Sequence, residues 1–116
     1  MKLTGYKYQI HQELIKQDWE IVEVGGNFDW WDDEHWKVVL RYDQEVSFYV
    51  CFIVDPQFEG VRKKGQGIHE VSAFIQFPEY WIDKEKLIAS ISMTKRKFDI
   101  KLKEFMSDLE KWKRSF

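Results

Sequence analysis

A chain of 116 residues with 44% hydrophobic and 17% aromatic residues carries ample ring area for one core, which excludes an unfolded chain; its length excludes two independent cores. The net charge of -2 lacks the basic balance of a nucleic-acid reader, no apolar run approaches the roughly 18 residues of a membrane span, and residues 1–20 hold no signal-like apolar core. The one cysteine, Cys51, sits in an apolar run without an intramolecular partner, so a reducing, cytoplasmic setting is expected.

From Tyr6 to Gln17 the apolar residues Tyr6, Ile10 and Leu14 recur at helical spacing among Lys7, His11, Glu13 and Lys16, which predicts an amphipathic helix with Thr4 as candidate N-cap. Trp19 to Val24 is β-branched and changes period, and Gly25, Gly26 and Asn27 end it as a strand ends. His35 to Tyr42 alternates, with Trp36, Val38, Leu40 and Tyr42 on one face. After a turn at Asp43, Gln44 and Glu45, the run Val46 to Val54 is apolar at nearly every position, the signature of a central strand covered on both faces. Asp55 to Gly67 reads as a long exposed loop, and a strand follows from Ile68 to Phe77. Leu87 to Met93 alternates as a fifth strand, although Asp83 to Leu87 equally suits a short helix. The stripe Phe98, Leu102, Phe105, Met106, Leu109 and Trp112 predicts a final helix lying on the sheet. Together these elements predict one α+β domain over residues 1–116: a four- or five-stranded antiparallel meander packed by an N-terminal and a C-terminal helix.

The most unusual stretch runs from Asn27 to Trp36, interleaving aromatic rings with carboxylates. Read as a loop, Asp29, Trp30, Trp31, Asp32, Asp33, Glu34 and Trp36 would form a partner-binding surface, the rings supplying buried area and the carboxylates pairing with Lys or Arg. The bland alternative tucks the Trp residues into the core under a solvated acidic turn. The same acids with His35 suggest a hard cation, but the spacing is not that of an EF-hand, so no metal and no cofactor is expected.

A second candidate is the basic loop Arg62, Lys63 and Lys64, bracketed by Gly60 and Gly65. A P-loop would continue past Gly65 with Lys and then Ser or Thr, whereas here Gln66 and Gly67 follow and the loop joins two strands. The serines and Cys51 stand in no nucleophile motif, so the sequence points away from catalysis. His11, His35 and His69 are scattered singles, structural by default, although His69 could approach His35 across a sheet.

Charge is uneven along the chain: residues 1–60 hold 5 Lys/Arg against 12 Asp/Glu, and residues 61–116 hold 13 against 8. Such asymmetry suits an acidic face for a basic protein partner, or contact between copies in a homo-oligomer. The leading expectation is therefore a small protein-binding module, of the general type of an immunity or antitoxin inhibitor, covering a basic surface. The alternative is a small-ligand domain or enzyme with a pocket between sheet and helices, reached past His35 and His69. A third reading places nucleic acid on Arg62, Lys63, Lys64, Lys95, Arg96, Lys97, Lys101 and Lys103, against the acidic balance of the whole chain. No membrane partner is expected.

Overall fold

A computed structural model describes residues 3, 5–27, 30–58, 62–80, 82, 84–93 and 97–115. Helix α1 (Gly5–Lys16) is followed by strands β1 (Trp19–Gly25), β2 (Asp32–Leu40), β3 (Asp43–Val54), β4 (Ile68–Phe74) and β5 (Leu87–Ser92), and the chain closes on helix α2 (Phe98–Lys113). The strands pair antiparallel in sequence order, β1-β2-β3-β4-β5, so each connection is a hairpin and no crossover is needed. The α+β meander with a helix at each end is thus as the hydrophobic periods predict.

Both helices cover the same face of the sheet. Ile10 and Leu14 of α1 and Leu102, Phe105, Met106 and Leu109 of α2 share one buried cluster with Trp36, Val38, Phe48, Val50, Phe52, Val71 and Ile91. These strand residues belong to the inward half of the period-2 alternation. Trp19 meets Phe48 edge to face at 4.8 Å, and Trp36 meets Phe52 at 4.8 Å and 64°, the geometry that ring quadrupoles favour. Burying each such side chain contributes about 1.5–3 kcal/mol. A smaller cluster on the opposite, helix-free face holds Trp31, Cys51, Ile53 and Phe74, with Tyr49, Tyr80 and Leu87 packed against it. β3, central in the order and covered on both faces, is accordingly buried at every position from Val50 to Val54.

Helix α1 turns into β1 within two residues because Asp18 adopts a left-handed conformation (φ 67). Arg41 holds that corner from the β2–β3 turn, donating its backbone N–H to the Asp18 carbonyl at 2.8 Å and Nη2 to Oδ1 at 2.7 Å. The candidate N-cap Thr4 lies outside the described residues.

Three boundaries differ from the periodic reading. The turn between β2 and β3 falls at Arg41 and Tyr42, with Asp43 to Glu45 already within strand β3, so Tyr42 is exposed instead of facing the core with Leu40. β4 stops at Phe74, leaving Ile75 and Phe77 in an exposed connection. Residues 84–86 form a 3-10 turn and 87–92 a strand, which resolves the ambiguity between helix and strand. No described helix is long and apolar enough to cross a membrane.

Candidate functional site

The acidic-aromatic stretch is not a loop throughout: from Asp32 onward it is strand β2. The ladder to β3 pairs Asp32 with Ile53, Glu34 with Phe52 and His35 with Cys51, so Asp33 is the extra residue of a β-bulge. Without a bulge, Asp32 and His35 would point to opposite faces; the extra residue turns both to one side. Gly26 is demanded here, because a Cβ on it would lie 2.5 Å from the Asp33 carbonyl oxygen and 2.7 Å from Glu34 Cα.

All three carboxylates at this point are buried, and each has different company. Asp33, 0% exposed, accepts from Arg62 Nη1 at 2.6 Å and from the Gly65 backbone N–H at 2.9 Å, both on Oδ1. Glu34 accepts from Lys7 Nζ of α1 at 3.1 Å and from Trp36 Nε1 at 2.6 Å. The phenol of Tyr6, sunk beside these two acids, is pushed up to about 12 by burial first and by Asp33 and Glu34 next. Asp32, 5% exposed, has its Oδ2 2.7 Å from His35 Nδ1, the imidazole N–H donating, while its Oδ1 is buried with no hydrogen-bond partner. Burial pushes the Asp32 carboxyl up, the His35 bond opposes that rise, and Asp33 and Glu34 add to it.

His35 is held in place on several sides. Its ring lies 4.6 Å from the Phe77 ring and 6.2 Å from that of Tyr49, and a Cβ on Gly25 would come within 2.9 Å of its Cε1 and Nε2. Asp32 and His35 together form the polar base of a pocket of about 450 Å³ on the helix-free face, lined also by Gly26, Asn27, Trp30, Trp31, Phe77, Pro78 and Glu79. That volume is within the roughly 300–1,000 Å³ typical of small-ligand sites. Trp31 is buried and stacks on Phe77 at 5.6 Å, while Trp30, 49% exposed, stands at the rim with its ring 6.4 Å from Tyr80. The Asn27 carbonyl accepts from the Trp30 backbone N–H at 3.0 Å and the Trp31 carbonyl from the Val54 N–H at 2.8 Å, which fix the two rings relative to the sheet.

The sequence-predicted surface is therefore divided. Trp31, Asp32, Asp33, Glu34 and Trp36 are turned inward, Trp30 is half-exposed, and Asp29 lies outside the described residues. In the basic loop, Arg62 is drawn onto Asp33 with its side chain 2% exposed, whereas Lys63 and Lys64 are exposed; Gly60, Lys95 and Arg96 lie outside the described residues. His35 and His69 are not brought together, since His35 is level through Cys51 with Ser72, three positions along β4. The pocket is correspondingly on the face away from the helices, not between sheet and helices. Sequence reasoning missed Phe77, Pro78 and Glu79, whose only signal was a proline after an aromatic residue at the end of a strand.

Cys51, paired with His35 on β3, is buried, and burial first and Asp32 next hold its thiol well above the usual range, which disfavours the thiolate. Among the described residues no three His, Cys, Asp or Glu side chains converge to hold a metal ion. The groove between α1 and α2 contains concavities of about 490 and 380 Å³, floored by the buried Leu102 and Met106 and walled mostly by exposed or half-buried polar side chains such as Lys16, Lys103 and Lys111. Gln17 there has its Oε1 buried without a partner, but none of the charged lining residues is buried. No family model, no curated protein and no solved structure matches this chain.

Proposed function

We propose that the protein is a small-ligand-binding domain whose site is the aromatic pocket at the start of β2. The observation that carries this reading is the buried Asp32 carboxylate at the base of that pocket, with one oxygen bonded to His35 and the other unmatched. A buried polar atom without a partner costs about 1–3 kcal/mol, and an evolved core ordinarily replaces it with an apolar one. Trp31, which also lines the pocket, likewise has its Nε1 buried without a hydrogen-bond partner, so two lining residues each carry an unmatched polar atom, one an acceptor and one a donor. Apolar walls with a few convergent polar groups are the usual composition of small-molecule sites.

Ligand-observed NMR with a library of ring-sized fragments tests this. Fragments are expected to bind the wild-type chain, and Phe77→Ala is expected to weaken them about tenfold, the equivalent of roughly 1.4 kcal/mol for one lost ring wall. Binding that is unchanged in Phe77→Ala would place the ligand elsewhere.

A second reading keeps a protein partner, and the half-exposed Trp30 at the rim favours it, because aromatic residues anchor interfaces. An immunity-type inhibitor would then contact its basic partner through Trp30 and Glu79, with Asp33 and Glu34 occupied within the fold. A photo-crosslinker at position 30 that traps no partner in cells would count against this reading.

A further inference from the structure

Three charged or titratable side chains line the pocket, Asp32, Glu79 and His35, and no Lys or Arg is among its described walls. We propose that this pocket recognises a protonated primary or secondary amine carried on an apolar, ring-sized group. This inference rests on the small-ligand reading above and names the class of ligand.

The neighbouring acids show what is missing at Asp32. Asp33 has the guanidinium of Arg62, and Glu34 has the ammonium of Lys7, each supplied by the chain. Asp33 Oδ2 is unmatched like Asp32 Oδ1, so the difference is in the cation: among the described residues the Asp32 side chain is paired with an imidazole alone. A buried carboxylate without a full cationic partner is unfavourable in a low-dielectric setting, and a ligand cation would relieve that. The rise of the Asp32 carboxyl with burial is the same imbalance seen from its proton.

Three features narrow the cation. The unmatched Oδ1 calls for an N–H donor, which a quaternary ammonium lacks. The rings of Trp30, Trp31 and Phe77 offer both apolar contact and π-faces that attract a cation within about 6 Å. An anion would meet Asp32 and Glu79 and be repelled, and a neutral ligand would leave the carboxylate uncompensated.

Isothermal titration of the full chain at neutral pH with 2-phenylethylamine, 2-phenylethanol and phenylacetate separates these cases. The amine is expected to bind about tenfold or more tighter than the alcohol, as a charge-assisted hydrogen bond implies, and Asp32→Asn is expected to bring the two to equal affinity. Trp30→Ala, a rim change that leaves the core intact, is expected to weaken the amine more than the alcohol. Equal affinity for amine and alcohol, or preference for phenylacetate, would overturn the cation while leaving the pocket. Binding of none of the three up to millimolar concentration would sink the pocket reading itself. Nα-acetyl-lysine amide binding as tightly as the free amine, with the same dependence on Asp32, would uphold the ammonium and assign it to a protein side chain.

Discussion

Asp32 and Asp33 are adjacent in sequence and both buried, yet one is locked into the fold and the other opens on a pocket. Asp33 is joined to the loop before β4 through Arg62 and Gly65, and serves to pin that loop against the start of β2. Among the described residues the Asp32 side chain is bonded to His35 alone, three residues along its own strand, and so ties no distant element to the site. The contrast is between a buried carboxylate that meets a guanidinium from far along the chain and one whose described side-chain partner is a neighbouring imidazole.

The largest effect expected from testing this contrast is at Arg62. Arg62→Ala strands the Asp33 charge in the interior and should lower stability by about 3–5 kcal/mol in urea unfolding, whereas Arg62→Leu combined with Asp33→Leu should recover most of the loss. A loss under about 1 kcal/mol for Arg62→Ala would mean that Asp33 is relieved elsewhere, and the contrast would fail.

Glu34→Gln is intermediate. The amide can still accept from Trp36 Nε1 but no longer balances Lys7, so about 1–2 kcal/mol should be lost, read from the same unfolding curves.

The smallest effect on stability, with the most informative sign, belongs to Asp32→Asn. Because burial raises the Asp32 carboxyl in the folded chain, the folded state holds that proton more tightly than the unfolded state does. Its contribution is therefore fully present below the ordinary aspartate range and is lost as pH rises through the raised value. Asp32→Asn should remove that slope and leave neutral-pH stability within about 1 kcal/mol of wild type, or above it. A several-fold larger loss with the slope retained would show that Asp32 is architectural, like Asp33.

Much of this architecture was legible beforehand. Ile10 and Leu14 on α1, the stripe from Phe98 to Trp112 on α2, and the doubly apolar run of β3 each report burial through a local period that no tertiary contact needs to supply. The stretch from Asn27 to Trp36 was also legible as unusual, but its reading as an exposed acidic loop depended on treating carboxylates as solvated. That rule fails where a cation arrives from far along the chain, as Arg62 does at a separation of 29 residues.

Composition and hydrophobic period by themselves determined the kinds of element, their order and the α+β class, because those signals repeat within a few residues. Which side of the sheet Asp32 and His35 face depended on the bulge at Asp33, and a single extra residue in one strand acquires meaning only against its partner. Whether an acid is solvated, paired or left half-matched at the base of a pocket likewise depended on what the folded chain brings to it from elsewhere: Arg62 and Gly65 to Asp33, Lys7 to Glu34, and Phe77 and Pro78 to the space around Asp32. Electrostatic and packing partners are set by distance in space, and only the tertiary structure supplies that distance.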